Sequence, residues 1–323
     1  MISIKGVTMG LFKKNNDSNT DLSNEEMYGI AWLLIVSQKQ RDEGFEILRR
    51  LEKVGFIEAA IALSMFESGE ERKRLITKAA NAGNSEGLWQ MCSILPKSDP
   101  MWEKYCTDAA ESGCVDAMLE MGNIFHRRKN YAESIYWYYL ANTNDHEEAE
   151  ISIKGIAREW NAAGCPKEYE PGSPKFDRDR YLCALFYLET ISNDDISVDF
   201  DDIVRLAIKG VSMAGYIAGD VFELKGNDEL AFQVYNSAAL SNDAHANRLC
   251  ADMWYYGKGV EKDEFMARSM YFKAAKMGDR TAMFCLGQFS ILNKYNAAYW
   301  YGVSHTRGYK SSLLKLYQLG NKW

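Results

Sequence analysis

A short pattern of small residues recurs along the chain and restricts the folds that it can adopt. The clearest copy reads AAKMG at residues 274–278, followed by Ala282 and then by Leu286-Gly287. Weaker copies place Gly, or a substitute for it, at marker positions 55, 83, 113, about 144, 210, 242, 278 and 308. These markers lie about 28 to 36 residues apart, except for one double interval between 144 and 210. Repeats of this length are typical of stacked supersecondary units.

Each repeat predicts two helices. Ala267, Tyr271 and Ala274 recur at the spacing that places side chains on one face of a helix. The marker Gly predicts the end of this first helix, called helix A, because a left-handed C-cap costs Gly least. A second helix, helix B, is expected to follow through Ala282 and Leu286. The sequence thus predicts an all-α fold, a right-handed superhelical solenoid of antiparallel helix pairs.

The stretch WYYGKGVEKD at residues 254–263 contains two glycines around a lysine, which raises the question of a phosphate-binding loop. A loop of that kind has the pattern GxxxxGK[ST] and follows a strand. Here the spacing differs and a predicted helix B precedes the glycines. We therefore interpret the stretch as a turn between two repeats.

Residues 246–282 carry a resemblance to a known family. Gly257, Gly259-Val260, Asp263 and Lys273-Ala274-Ala275 fit the pattern AxxxLGxxYxxGxGVxxDxxxAxxWYxKAAxxGxxxA of the Sel-one-like repeat family, which is related to the tetratricopeptide repeat. Cys250-Ala251 stands where the family has Leu-Gly, a change that conserves small size. The resemblance implies a superhelix of helix pairs that serves as an adaptor for other proteins. The family has no catalytic motif to transfer, so no catalytic residue, metal or cofactor is expected.

The domain prediction follows from the extent of the repeats. Residues 1–22 are expected to form a flexible polar arm, and residues 23–323 a single solenoid of about eight helix pairs. The apolar run MYGIAWLLIV at residues 27–36 is expected to be the first buried helix, since it has about half the ~20 residues that a membrane span needs. An irregular insertion is predicted near residues 161–180, because three of the five prolines cluster there.

Composition excludes some classes of protein. The 38 Lys and Arg against 45 Asp and Glu give a net charge of -7, which argues against affinity based on neutralising phosphates and hence against a nucleic-acid partner. The seven cysteines are spread singly, so they are interpreted as reduced, mostly buried thiols. No apolar run near the start is long enough for a signal peptide, and a cytoplasmic location is expected.

Two local clusters of chemically active residues have structural interpretations. The acidic stretch NDDISVDFDD at residues 193–202 lacks the register of a calcium loop and is better explained by helix N-capping. The four histidines lie in different repeats without the spacing of metal ligands, and are interpreted as solvated or core residues: His126, His146, His245 and His305. An enzyme with a site assembled between repeats, using the insertion and His126-Arg127-Arg128, remains an open alternative.

The helix A face opposite Ala267, Tyr271 and Ala274 is the predicted binding surface. Counting 100° per residue, this face falls on the residues one and five positions before the first small residue of each AA pair. It combines basic and aromatic side chains, which suit an acidic peptide or protein with an apolar anchor. The candidate partner-binding residues are Arg50, Arg74, Lys78, Lys104, Tyr138, Tyr139, Arg205, Lys273 and Tyr299.

The sequence therefore predicts a non-catalytic scaffold, most concretely a cytoplasmic, bacterial-type adaptor that binds a protein or peptide in its concave groove. A narrower alternative is an inhibitor or immunity-type protein that sequesters a toxin or enzyme. A pocket that joins a histidine to cysteine or carboxylate neighbours would favour the enzyme alternative.

Overall fold

The computed structural model describes residues 22–37, 40–144, 146–162, 182–187, 190, 198–290 and 292–321. Nearly all of the predicted arm at 1–22 and of the predicted insertion at 161–180 lies outside these described residues. Within them the chain contains helices and turns and no strand. Most consecutive helices pack on each other, and outside residues 163–199 they are joined by short turns, so the predicted all-α fold of antiparallel helix pairs is confirmed.

The helices of the first half of the chain are α1 (Asn24–Ser37), α2 (Arg41–Lys53), α3 (Ile57–Ser64), α4 (Gly69–Asn81), α5 (Ser85–Ile94), α6 (Trp102–Glu111), α7 (Val115–Arg127), α8 (Tyr131–Thr143) and α9 (Glu147–Ala162). Those of the second half are α10 (Phe200–Ile208), α11 (Ser212–Leu224), α12 (Asp228–Leu240), α13 (Ala244–Tyr256), α14 (Glu264–Lys276), α15 (Arg280–Phe289), α16 (Lys294–Thr306) and α17 (Lys310–Gly320). Residues 182–187 are helical as well.

The helices form two compact units, which we describe separately. The first unit comprises Met1–Leu75 and Gly287–Trp323, and the second comprises Ile76–Leu286. In the first unit, α1 packs against α16 and α17. A Cβ on Gly29 would lie 2.1 Å from the carbonyl oxygen of Tyr295, so only Gly allows α1 and α16 to approach this closely. Residues 28–36 of α1 are buried, which confirms the predicted first buried helix.

The marker residues end helices as predicted. The glycines at markers 55, 83, 113, 210, 278 and 308 all have φ between 74° and 103°, and Asn242 has φ 61°. These are left-handed conformations, in which Gly and then Asn are the least strained residues. Asn144 departs from the pattern with φ −101°. Its side chain instead donates from Nδ2 to the carbonyl oxygen of Leu140, 2.8 Å away.

The GKGV stretch is a turn, as predicted. Gly257 is the left-handed C-cap of α13, and the turn leads into α14 through Asp263. The Asp263 side chain accepts hydrogen bonds from the backbone N–H groups of Phe265 and Met266 and so caps α14. At the start of α10, Asp199 accepts from the N–H of Asp201, which confirms N-capping for the described end of the acidic stretch.

The described cysteines are buried except Cys285, which is partly exposed; Cys165 lies outside the described residues. Cys250 is fully buried at the position where the repeat pattern has Leu, as expected for a packing residue. None of the helices in the described ranges combines the length and the apolar character that crossing a membrane would require.

Candidate functional site

A cleft of about 350 Å³ lies in the second unit, among the turns that join helix A to helix B in successive repeats. Short turns bring side chains from α6–α7, α8, α11, α12–α13 and α14–α15 to one place. The lining residues include acids, aromatic residues and amides and contain no Lys or Arg. They are Ala110, Glu111, Gly113, Met118, Tyr136, Trp137, Leu140, Asn144, Tyr216, Asn242, Asp243, Ala244, His245, Met277 and Asp279.

Two marker glycines form a close backbone contact beside the cleft. A Cβ on Gly278 would lie 2.6 Å from the carbonyl oxygen of Ser112, and a Cβ on Gly113 would lie 3.3 Å from that of Met277. The turn after α6 therefore touches the turn after α14, although the two are far apart in sequence. The left-handed turns place the two backbones together, and the absence of a side chain at Gly278 permits the contact.

Arg248 is the hub of a buried polar network behind the cleft. Its guanidinium donates to Asp279 from Nε (3.2 Å), to Asp252 from Nη1 (3.2 Å), and to the carbonyl oxygen of Thr143 from Nη2 (3.2 Å). The Asp279 side chain is almost wholly buried, and its Oδ1 caps α15 by accepting from the N–H of Ala282 at 2.6 Å. One side chain thus ties the C-terminal end of α8 to α13 and to the start of α15.

Burial governs the ionisation of the groups around Arg248. Burial raises the pKa of the Asp279 carboxyl above its ordinary value, although the charge of Arg248 acts in the opposite direction. The pKa of Asp252 is raised for the same reason, again against the effect of Arg248. Tyr271 donates a short hydrogen bond to Asp252. Because the Asp279 carboxylate is almost wholly removed from water, the charge of Arg248 helps it to remain ionised, whereas the Asp252 side chain is 32% exposed and depends on Arg248 less.

The cleft joins His245 to the carboxylates of Asp243 and Asp279, the arrangement that would favour an enzyme, but the protonation state of His245 argues against general base catalysis. Only 6% of the residue is exposed, and burial together with the nearby charge of Arg248 holds its pKa well below the ordinary range. Arg248 Nη2 lies 2.8 Å from His245 Nδ1. Since a guanidinium can only donate, Nδ1 is the acceptor and the single proton of the neutral ring resides on Nε2. Neither nitrogen is then available to take a proton from a substrate.

Asp243 positions one wall of the cleft. It is the N-cap of α13, with Oδ1 accepting from the N–H of Ala246 at 2.8 Å. The same oxygen accepts a short hydrogen bond from the hydroxyl of Tyr216. The Tyr216 ring lies edge-on to His245, with centroids 4.8 Å apart. The two hydrogen bonds to Oδ1 thus hold the Asp243 carboxylate at the start of α13 and hold the Tyr216 ring next to it.

We expect the stability of the protein to fall as pH drops below about 6.5. Burial lowers the pKa of both His245 and His305 in the folded state, so the unfolded chain binds more protons there as the pH falls. Each histidine then removes up to ~1.4 kcal/mol of unfolding free energy per pH unit. Urea unfolding at pH 7.5, 6.5 and 5.5 measures this slope. In His245→Asn, whose amide oxygen replaces the Nδ1 acceptor, the slope should be shallower, and an unchanged slope would contradict the assignment.

The structure places the predicted partner-binding residues in three environments. Arg50, Arg74, Lys104, Arg205 and Lys273 are exposed, and Lys78 and Tyr299 are half-buried. Several of these cations have partners: Arg74 binds Glu52 (3.0 Å) and Glu71 (2.8 Å), and Arg205 binds Asp202 (2.8 Å). Lys273 donates to the carbonyl oxygen of Ala239 at 3.3 Å, at the end of the preceding helix A.

Tyr138 and Tyr139 occupy the core rather than the surface, with 1% and 2% of each residue exposed. The hydroxyl of Tyr138 donates to Asn123 Oδ1 at 2.6 Å, and the ring of Tyr139 lies 4.8 Å from that of Tyr187. The α8 helix is apolar on nearly all sides, so its register does not distinguish an exposed face from a buried one. Within the second unit, the exposed members of the predicted surface are therefore the basic ones.

Sequence reasoning missed the residues that shape the cleft. Asp243 and Asp279 each follow a marker residue directly, and this polar residue after the marker was an available signal for an N-cap. No local pattern reveals that the two caps share one cleft, because that depends on how successive repeats are rotated. The exposed aromatic residues Phe265 and Phe272 on α14 were also overlooked.

The His126-Arg127-Arg128 cluster does not converge on one point. His126 Nε2 lies 2.8 Å from Glu159, Arg127 binds Glu120 at 3.2 Å, and Arg128 binds Glu103 at 2.6 Å. Each side chain thus has its own carboxylate. Among the described residues no group of three or more His, Cys, Asp or Glu side chains is arranged to hold a metal ion.

Comparison with known proteins identifies similar structures. No protein-family model matches the sequence, and no curated protein matches it. Among solved structures, a protective antigen of uropathogenic Escherichia coli with an SLR fold is 15% identical, with 92% of this chain and 79% of that chain covered and a TM-score of 0.38. A Sel1 repeat protein from Oxalobacter formigenes is 19% identical, with 97% and 99% covered and a TM-score of 0.38. The chain is thus similar to these two repeat proteins over most of its length.

Proposed function

We propose that this protein is a protein-binding scaffold and that the outward face of α14 is a binding surface for an acidic segment with an apolar anchor. The observation that carries the proposal is a pair of exposed aromatic side chains. Phe265 is 79% exposed and Phe272 is 43% exposed. Seven residues apart on one helix, they point to the same side. Apolar side chains grouped in this way on a surface are typical of interaction sites.

Basic side chains surround the two rings. Counted at 100° per residue, Arg268, Ser269 and Lys276 fall within the same arc as Phe265 and Phe272, and Lys273 borders it. The ammonium group of Lys276 lies 4.7 Å from the centroid of the Phe272 ring. We call the surface formed by Phe265, Arg268, Ser269, Phe272, Lys273 and Lys276 the α14 face.

The α14 face favours one class of partner. Three cations close to two exposed rings complement a segment that presents carboxylates beside an apolar side chain. Charge complementarity would guide the encounter, and burial of the rings would supply much of the affinity. Lys273 was among the residues predicted from the sequence, and the acidic partner with an apolar anchor is the predicted partner. A cytoplasmic location is part of the same proposal and stays a prediction.

The test is a selection of displayed random peptides on the wild-type protein. We expect the enriched peptides to combine Asp or Glu with one aromatic or aliphatic residue. A fluorescently labelled copy of the best peptide should then bind with a Kd that Lys273→Glu/Lys276→Glu weakens about tenfold or more, since charge reversal adds repulsion at two points. Phe265→Ser should weaken it by a similar factor through loss of the anchor contact.

The matched control is Lys53→Glu/Arg72→Glu, which reverses two exposed cations on other helices. This variant should bind the labelled peptide as the wild type does. Circular dichroism and thermal unfolding establish that all variants are folded. Enriched peptides without acidic residues, or equal weakening by both double variants, would contradict the proposed surface.

A further inference from the structure

From the composition of the cleft between the helix turns of the second unit, we infer that it binds an organic cation of the guanidinium class, either free or as the side chain of an arginine in a partner protein. The site is separate from the α14 face, and the inference does not depend on the proposed binding of an acidic segment. At about 350 Å³, the cleft is at the small end of the ~300–1,000 Å³ range of ligand pockets. It therefore suits a ligand about the size of one side chain.

Uncompensated negative charge is the first observation behind this inference. Three of the lining residues are acids and none is Lys or Arg. Asp279 is committed to Arg248 and to capping α15. In contrast, Glu111 forms no ion pair or hydrogen bond within the described part of the chain, and both bonds to Asp243 use Oδ1. Oδ2 of Asp243 and the carboxylate of Glu111 are thus left to bind a cation.

The aromatic lining is the second observation. Tyr136, Trp137 and Tyr216 contribute to the cleft. Trp137 and Tyr216 are almost wholly buried, so Tyr136, which is half-buried, is the ring on which a ligand can stack. A planar guanidinium stacks on aromatic faces and at the same time donates in its own plane to carboxylates. An ammonium group has no such plane, so this combination of rings and carboxylates favours guanidinium over ammonium.

Positive groups near the cleft do not cancel this preference. The N-terminal ends of α13 and α15 face it, but Asp243 and Asp279 already cap them. Arg248 lies behind the lining and has two carboxylate partners, and Arg280 donates to the carbonyl oxygen of Asn144 at 2.9 Å. Arg248 and the two helix ends thus have carboxylate partners within the protein, whereas Glu111 has no cationic partner among the described residues.

His245 adds a donor that helps to orient the ligand. With Nδ1 occupied by Arg248, its proton is on Nε2, and the ring is nine-tenths buried at the cleft. A ligand that carries a carbonyl oxygen next to the cationic chain, such as an arginine within a peptide, can accept from Nε2. The cleft therefore offers a cation site together with a neutral hydrogen-bond donor.

Isothermal titration with N-acetyl-L-arginine amide tests the inference. We expect a Kd of about 1 mM or tighter. The citrulline analogue has nearly the same shape without the charge and should bind at least about tenfold more weakly, because it cannot form a charge-assisted bond. The lysine analogue should also bind more weakly. If a longer peptide with one central arginine binds more tightly than the amide, the natural ligand is an arginine side chain of a partner protein. If agmatine binds as tightly as the amide, the natural ligand is a free small molecule.

Substitutions of the two carboxylates that line the cleft test whether they bind the cation. Glu111→Gln and Asp243→Asn each remove a charge while conserving shape. The amide introduced by Asp243→Asn can still cap α13. Each substitution should weaken the binding of the arginine amide about five- to tenfold. The control Glu229→Gln removes an exposed charge on α12 away from the cleft and should have no effect. In protein labelled with ¹³C-methyl methionine, the methyl signals of Met118 and Met277 should shift on titration. Equal affinity for the citrulline analogue, unaffected binding in both cleft variants, or no binding would overturn the inference.

Discussion

Replacement of Arg248 by methionine is expected to lower the free energy of unfolding by about 3–5 kcal/mol, as the loss of one member of a buried ion pair typically does. Methionine fills similar volume but donates no hydrogen bond. Asp279 and Asp252 then lose their cation, the Asp279 carboxyl stays buried, and the Thr143 carbonyl loses a donor. Urea unfolding followed by circular dichroism measures the change. A matched variant, Arg268→Met, removes an exposed arginine and should change stability by less than ~0.5 kcal/mol.

The cost of Arg248→Met should depend on pH in a defined direction. Without the guanidinium, the pKa values of Asp279 and Asp252 in the folded protein rise further, so the folded state holds protons that the unfolded state has lost. Stability of the variant relative to the wild type should therefore decrease as pH rises from about 4 to 7, with the smallest deficit near the carboxyl pKa of the unfolded chain, ~3.9.

A second substitution separates charge from packing at the same site. Asn at position 279 retains an oxygen that can cap α15 but carries no charge, so Arg248→Met/Asp279→Asn should recover part of the lost stability. If Arg248→Met costs no more than Arg268→Met, or if its deficit does not vary with pH, the buried network is not the one that the structure shows.

The parts of the fold that follow from local rules were predictable from the sequence. The left-handed helix ends at Gly83, Gly113 and Gly278 follow from marker residues alone, because the strain of a positive φ is a property of one residue. The turn around Gly257 was predictable for the same reason. Helix A and helix B follow from the spacing of small and apolar residues, which is set by neighbours within about one turn of helix.

The cleft could not be predicted, because its residues come from separate repeats. Arg248 reaches the carbonyl of Thr143 and the carboxylate of Asp279, and neither partner is marked by sequence spacing. The prediction that Tyr139 lies on the binding face assumed the same register in every helix A. In α8 the residue at that position is buried in the core, because a small rotation of one helix pair exchanges its exposed and buried faces. The prediction that the basic residues on other helices are exposed is less sensitive to an error in register, because long charged side chains stay at the surface.

Substitution of Gly278 by alanine is expected to lower the free energy of unfolding by roughly 2–4 kcal/mol, combining a strained backbone with a steric clash. At φ 103° an alanine is strained, and its Cβ would lie 2.6 Å from the carbonyl oxygen of Ser112. That oxygen belongs to the backbone, so it cannot move aside as a flexible side chain would. The two turns beside the cleft would have to separate.

Alanine substitutions at two other marker glycines in the second unit separate the backbone strain from the steric clash. Gly83 has φ 74°, and a Cβ added there would have nothing within 4 Å, so Gly83→Ala reports the backbone strain alone, about 1–2 kcal/mol. At Gly113 the nearest atom would be the Met277 carbonyl oxygen at 3.3 Å, which places Gly113→Ala between the two. The order Gly83, Gly113, Gly278 in urea unfolding would establish that the turns touch in solution. Equal losses at all three positions would mean that the turns do not touch, and the cleft beside them would then lack its closed wall and its affinity for a cation.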